Sequence, residues 1–547
     1  MVRRLFAILE REIRGLHEAA YLLAGFALVS QVLAIVRDRT FAHYFGAGEI
    51  LDVYFAAFRV PDLVFAFLTL FVSTFALVPL FTKYQEEERG RVLESILVVF
   101  GVAAVLCTTL VAALLPYLLP YLIPGFTDSQ RALTESLTYV MLLQPILLGF
   151  SSIVSALVQA SRRFAVFALA PIFYNLGIIF GSIVLYPTYG VLGLGYGVVL
   201  GAFLHLVVQI GPVLQTGVQR GPRLSVQTIL EAVITPSLPR SMALVANQSL
   251  MVAFASIASF VSVGAVSALS LAFNLQSVPI TIIGISYASA LFPALAALYH
   301  QGDRTGFSRQ LWETVEHIVF WLLPATAFFI VLRAHLVRVV LGSGAFSWDD
   351  TRLTAALLAL FAVSLIGQCL ILVFSRAFYA AEKSTLPIVL NVGASLVAGA
   401  LAYTLVVGVS SFEFLRYFVE SMLRVGDVPG SGALMIPFAY SCVMLATAFL
   451  FALFARSHFG FETRVLSSLG TSFAASVIGA GWTYLTLQLL GPLLPTDTFL
   501  GIFAQGALAG LIGVLAWVSV LYLMRSEELT EVATLLSSRI LKRYGSH

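Results

Sequence analysis

Fourteen apolar stretches run through this chain, centred near residues 28, 66, 107, 146, 175, 201, 247, 282, 326, 365, 396, 443, 478 and 512. Each is long enough to cross the roughly 30 Å hydrocarbon core of a bilayer, and no soluble core could absorb them all. Of the 547 residues, 59% are hydrophobic and 11% charged. Ordinary soluble domains carry roughly 25% charged residues, so lipid must be the solvent for most of this surface. A barrel strand's period of two is absent, and backbone polar groups in hydrocarbon must bond within their own segment. The chain therefore reads as an all-α polytopic membrane protein with about 14 transmembrane helices. Cys107, Cys369 and Cys442 all lie in apolar stretches, and the eight histidines form neither an HExxH motif nor a close pair. No disulfide framework, metal site or cofactor is expected. A formal charge of +3, scattered along the chain, leaves no footprint for a nucleic acid.

Basic residues fall in alternate loops: Arg3, Arg4, Arg11 and Arg14, then Lys83, Arg89 and Arg91, and so on to Arg525, Arg539, Lys542 and Arg543. The positive-inside rule places these segments and both termini in the cytoplasm. The opposite loops are poorer, with Arg131, Arg333, Arg338, Arg352, Arg416 and Arg424, besides Arg37 and Arg39 at the end of the first span. Residues 1–20 are too charged for a cleaved signal peptide. Leu5, Leu9, Ile13 and Leu16 recur there at helical spacing, so an in-plane cytoplasmic helix is expected. A similar stripe, Val532, Leu536 and Ile540, marks the tail, and residues 410–431 read as a short amphipathic outer-face helix followed by a Pro/Gly turn.

An internal repeat organises the spans. Pro171-Ile-Phe-Tyr-Asn175-Leu-Gly177 returns as Pro387-Ile-Val-Leu-Asn391-Val-Gly393, an offset of 216. Phe58-Arg59 leading to Ala76-Leu-Val-Pro79 returns as Phe273-Asn274 leading to Ala290-Leu-Phe-Pro293, at offsets of 215 and 214. Two echoes at one spacing indicate duplication. The chain then parses into an N-terminal segment (1–20), an N-lobe of six spans (21–215), a C-lobe of six spans (216–456, with the insertion 410–431), two extra spans (457–525) and a tail (526–547). Six is even, so the two six-helix lobes are parallel, related by an axis along the membrane normal, with a site expected between them.

Charged residues mark where that site should be. Arg37-Asp38-Arg39 closes the first span, and Asp52, Arg59 and Asp62 can share one face of the second. An arginine at a helix centre costs about 2.5–3.5 kcal/mol, so Arg59 should face a wet cavity or an acidic partner. One reading is an Arg59–Asp62 pair that only staples the bundle. The other is a cationic cavity for an anionic head group such as a pyrophosphate, because arginine forks onto phosphate oxygens. Arg240 opens the seventh span, and Asn247, Gln248, Asn274, Gln276 and Gln368 are candidate cavity-lining polar groups. Pro61, Pro79, Pro236, Pro239, Pro279 and Pro293 are expected to interrupt their spans. Gly193-Leu-Gly195-Tyr-Gly197 lies mid-span and reads as a packing surface.

Through Arg37-Asp38, Phe45-Gly46-Ala47-Gly48, Asp52 and Ala57-Phe58-Arg59-Val60-Pro61, the chain resembles the MurJ (MviN) lipid II flippases of the MOP exporter superfamily, over essentially its whole length. The resemblance implies a non-enzymatic transporter of the bacterial cytoplasmic membrane. It would carry undecaprenyl-pyrophosphate-linked peptidoglycan precursor from the inner to the outer leaflet by alternating access, with the last two spans bordering a groove for the lipid tail. Its partners would be that lipid-linked precursor, membrane lipid and a coupling cation, and it would act as a monomer without nucleic acid. Carried over by position, Arg37 falls on a cavity arginine, Asp52 on a functional aspartate and Arg59 on a basic site of the second span. With Arg240 and Asn274 these are the candidate substrate-binding residues. Gln31, Val64-Phe65 and Asn274 stand where relatives often carry arginine, and Ser277 where they carry an acid, so the cavity should be less positive. A flippase for another polyprenyl-linked oligosaccharide, or a MATE-like exporter, is the alternative. A drug exporter would want an acidic cavity, against which Arg37 and Arg59 argue. A membrane-embedded enzyme or scaffold is the reading from another class.

Overall fold

The computed structural model describes residues 16–531, apart from 85, 162, 216–224, 409–412, 462–463 and 496–497, together with residue 534. The expected amphipathic stripes at 1–15 and at Val532, Leu536 and Ile540 lie outside the described residues. Among the described residues there is no strand. The principal helices of the first half are α1 (Leu16–Phe45), α2 (Glu49–Val72), α3 (Thr74–Lys83), α4 (Glu86–Leu122), α5 (Asp128–Met141), α6 (Leu143–Ala160), α7 (Phe164–Phe180), α8 (Val191–Gln215) and α9 (Thr235–Ser259). They are followed by α10 (Ala265–Pro279), α11 (Ser286–His300), α12 (Arg304–Val331), α13 (Arg333–Leu341), α14 (Trp348–Ala380), α15 (Thr385–Val407), α16 (Glu413–Leu423), α17 (Met435–Phe459), α18 (Arg464–Leu490) and α19 (Phe499–Leu523).

Thirteen helical segments among the described residues are long and apolar enough to span a bilayer, and they coincide with the second to fourteenth expected spans. The first expected span lies in the 30-residue α1, whose later turns carry Arg37, Asp38 and Arg39. The two spans that the repeat equates are also alike in form. Glu49–Lys83 has 35 residues and Ala265–His300 has 36, and both are broken midway. The first breaks at Ser73, whose backbone is extended; the second passes through a π-helical stretch, Ile280–Ile285, directly after Pro279. The prolines behave less uniformly than expected. Pro61, Pro79 and Pro293 sit inside continuous helices, because one missing N–H removes one bond while the neighbouring turns still close.

The chain forms two compact units. One runs to Ser267 and takes in Ser343–Ser347; the other comprises Ala268–Gly342 and the chain from Trp348 onward. Packing thus divides the chain later than the repeat does, because the seventh span, α9, lies against α2.

In the first unit, glycines let α7 and α8 approach to backbone contact. A Cβ built on Gly177 would lie 2.3 Å from the Cα of Gly201, and one on Gly197 would lie 2.5 Å from the Cα of Gly181. The glycine run at 193–197 is therefore a packing surface. In the second unit, the last two spans dock on α12 through Phe320, Ala475, Trp517 and Leu521. The expected helix in the 410–431 insertion is α16, and the chain beyond it turns through Gly430 (φ 88°) into α17.

Candidate substrate site

The site of the first unit is built on the turn between α1 and α2. Gly46 adopts φ 62° and ends α1, the left-handed geometry that glycine supplies most cheaply at a helix C-terminus. Gly48 then caps α2. Phe41 packs on Tyr54 and Phe55, with ring centroids 4.8 and 6.3 Å away. This clamp holds the last turns of α1 against α2, and Arg37 lies one turn before Phe41.

The Arg37 guanidinium makes three directed bonds. Its Nε and Nη2 donate to Asp38 Oδ1 at 2.9 and 2.8 Å, and Nη1 donates to Asn175 Oδ1 at 3.2 Å. Asn175 is held in turn by its own Nδ2, which donates to the Pro171 carbonyl at 3.1 Å. The Arg37 side chain retains 20% exposure and that of Asp38 only 5%. Tyr54, Tyr174 and Asp62 lie close enough to feel the Arg37 charge.

Arg59 and Asp62, one turn apart on α2, are both half-buried and act on each other electrostatically. Gln144 on α6 donates from Nε2 to Asp62 Oδ1 at 3.4 Å. Two guanidinia and two carboxylates thus share this part of the unit, so the positive charge is closely matched. Three of the five N–H groups of Arg37 are engaged by Asp38 and Asn175, which leaves two for an incoming oxyanion.

Asp52 is placed differently. It is 1% exposed, and both its oxygens accept from backbone. Gly264 N donates to Oδ2 at 2.5 Å and Ser267 N to Oδ1 at 2.7 Å. Gly264 has φ 89°, and a Cβ there would lie 2.3 Å from the Ala47 carbonyl oxygen. The carboxylate therefore caps the helix turn that begins at Ala265, where unpaired N–H groups and the helix dipole favour a negative charge.

The remaining candidates are spread out. Arg240 falls in the second turn of α9, and its side chain is outside the described residues. Asn274 lies in α10, half-buried, and its carbonyl accepts from Ser277 Oγ at 2.7 Å. It belongs to the second unit, whereas Arg37, Asp52 and Arg59 belong to the first. Gln276 and Gln368 are joined, Gln368 Nε2 donating to Gln276 Oε1 at 3.2 Å. That makes them helix-to-helix glue between α10 and α14.

Sequence reasoning singled out Asn175 only as part of a repeat, and the structure adds it to the arginine site. A polar network on α6 and α8 was also missed. In it Gln209 Nε2 donates to Ser151 Oγ at 2.8 Å, Ser155 Oγ donates to Gln209 Oε1 at 2.5 Å, and His205 Nδ1 lies 2.7 Å from Ser151 Oγ. Single polar residues in apolar spans were the one signal for it. Among the described residues, no group of three or more His, Cys, Asp or Glu could hold a metal.

The fold and this motif can be set beside known proteins. The family model described as "Lipid II flippase MurJ" matches residues 41–503. A "Probable lipid II flippase MurJ" of Rhizobium meliloti is 26% identical, the match covering 73% of this chain and 78% of that protein. One of Buchnera aphidicola is 25% identical over 66% of this chain and 72% of its own length. A solved structure of lipid II flippase MurJ in an inward closed conformation superposes with a TM-score of 0.71. It is 20% identical, and the match covers 92% of this chain and 98% of that one. An inward-facing multidrug resistance MATE transporter of the MOP superfamily shares the fold at a TM-score of 0.63 and 16% identity, covering 81% and 96%. With the family model matching residues 41–503 and the helical architecture in place, this chain belongs to the lipid II flippase MurJ family.

Proposed function

We propose that this protein moves an undecaprenyl-pyrophosphate-linked peptidoglycan precursor from the inner to the outer leaflet of the bacterial cytoplasmic membrane. Transport would proceed by alternating access, with Arg37 and Arg59 receiving the pyrophosphate. The observation that carries the reading is the Arg37 fork. It is a permanently charged donor in an apolar span, still partly exposed and oriented by Asn175. Pyrophosphate oxygens would exchange with Asp38 on that fork, which keeps the empty site electrically balanced. Membership of the family and the relatives' names support the substrate class.

Depletion in the native cell, or complementation of a flippase-deficient bacterium, tests the reading. Lipid II should accumulate on the cytoplasmic face without the protein. Accumulation of another polyprenyl-linked oligosaccharide with normal lipid II handling would favour the alternative transporter. The proposed orientation has both termini inside. A cysteine at Gly190 should then react with an impermeant thiol reagent from outside intact cells, and one at Gly302 should not; the reverse pattern would invert the topology.

A further inference from the structure

Five of the arginines that the proposed topology puts on the outer face lie in the second half of the chain: Arg333, Arg338, Arg352, Arg416 and Arg424. Three have local partners. Arg352 forks onto Asp427 at 2.5 and 2.8 Å. Arg416 Nε donates to Glu420 Oε1 at 2.7 Å. Arg338 lies 5.8 Å over the Trp348 ring and reaches Thr351 Oγ1 at 3.4 Å.

Arg333 and Arg424 make no ion pair among the described residues. They line one open cleft of about 370 Å³, together with Tyr484, Gln488 and Leu487. Arg333 donates from Nη1 to the Ile330 carbonyl at 2.8 Å. Burial, and then the like charge of Arg424, hold the Arg333 pKa below its ordinary value. A counter-anion is what this pair lacks.

The backbone is built to bring Arg424 there. It stands just past the end of α16 at φ 58°, in the left-handed region where glycine or asparagine is usual. Val425 N donates to the Glu420 carbonyl at 3.0 Å, and Arg352 Nη2 donates to the Arg424 carbonyl at 2.7 Å. An L residue held in this conformation by bonds on both sides is a pointer to a use for its side chain.

The depth of the cleft is legible as well. Arg333 follows the end of a span at Val331, and Tyr484 lies in the last two turns of a span that ends at Leu490. The half-exposed Tyr484 suits the boundary between hydrocarbon and head groups. Beside the cleft, α16 buries Val419, Glu420 and Leu423 and exposes Phe414, Tyr417, Phe418 and Met422 on its other face. An apolar stripe of that kind on a short helix lies in the plane of a membrane surface.

We propose that the cleft holds the phosphodiester of an anionic bilayer phospholipid, and that the insertion carrying α16 is the membrane-plane anchor that completes it. Arg333 and Arg424 bracket the phosphate, Gln488 and the Tyr484 hydroxyl meet a hydroxyl-bearing head group, and Leu487 faces the start of the acyl chains. A freely soluble anion would gain nothing from the apolar wall. The site is made wholly of second-unit residues, whereas Arg37 and Arg59 belong to the first unit. Only the choice of leaflet rests on the topology proposed above.

The test uses the full chain in detergent, titrated with phosphatidylglycerol, phosphatidylcholine, undecaprenyl pyrophosphate or inorganic phosphate, with bound lipid counted by native mass spectrometry. Phosphatidylglycerol should bind about tenfold more tightly than phosphatidylcholine. Arg333→Gln with Arg424→Gln should erase that preference, while Arg131→Gln, whose partner is Asp128 in the first unit, should keep it. No preference in the wild type overturns the proposal without any variant. So does full preference in the folded double variant, or displacement of the lipid by inorganic phosphate alone. Binding of undecaprenyl pyrophosphate with none of phosphatidylglycerol would also overturn it, by assigning the cleft to the transported substrate. Lipid II transport is not the readout, so failure here is distinguishable from failure of the flippase reading.

Discussion

The carboxylate of Asp52 holds the backbone N–H of Ser267 at 2.7 Å across 215 residues of sequence. The bond to Gly264 N makes the contact bidentate, and neither donor has water available as a substitute in a site this buried. Asp52→Ala strands two N–H groups, and each buried unsatisfied group costs about 1–3 kcal/mol. Asp52→Asn keeps the shape but turns an NH2 toward one of the donors. Thermal unfolding of the purified variants should rank wild type above Asn and Asn above Ala, with transport falling in the same order. An alanine variant as stable as wild type would show that the cap carries no energy.

The two asparagines of the repeat separate positioning from packing. Asn175 and Asn391 both donate to the carbonyl of the proline four residues earlier, at 3.1 and 2.7 Å. Only Asn175 also accepts from an arginine. Asn175→Ala should lower transport about tenfold, the worth of one hydrogen bond to a charged group, with the protein still folded. Asn391→Ala should leave transport near the wild-type rate. Equal effects would detach Asn175 from the arginine site.

Arg59 is tested through its neighbour Asp62. If the pair only staples the bundle, Asp62→Ala and Arg59→Ala should destabilise the protein alike. Under the substrate-binding reading, Asp62→Ala leaves a folded transporter with appreciable activity, whereas Arg59→Lys is already impaired because a point charge replaces a fork. Transport assays normalised to folded protein decide between them. Wild-type flipping by a folded Arg37→Ala, Arg59→Ala double variant would remove the arginine mechanism altogether.

Gly177 and Gly393 end the same repeated motif in different surroundings. A methyl on Gly177 would sit 2.3 Å from the Gly201 Cα, while nothing lies within 4 Å of the same position at Gly393. Gly177→Ala should therefore destabilise by about 1–3 kcal/mol through overpacking. Gly393→Ala should be neutral or stabilising by up to about 1 kcal/mol from helix propensity. Unfolding midpoints of the two variants check the sign.

Hydrophobic length and composition alone made this chain a bundle of spanning helices, since polar backbone groups in lipid must bond within their own segment. Thirteen of the fourteen expected spans appear as separate apolar helical segments, and α1 holds the remaining one. Arg37 and Arg59 were legible because a charge in an apolar stretch is expensive wherever the helix packs. Their surroundings were not legible. Asp52 was legible as a charge at the start of a span; that its oxygens accept from two backbone N–H groups more than two hundred residues away was not. Periodicity carries no information about such a distance. Asn175 and Asn391 are identical in motif, and only the packing of α1 against α7 gives one of them an arginine. The break in the second span falls at Ser73 and not at either proline, because whether a missing N–H bends a helix depends on what packs around it. Local rules of solvent, charge cost and helical period thus determined the class and marked the charged residues. Which groups those residues meet was decided only when distant helices closed on one another and each buried polar atom had to find its partner there.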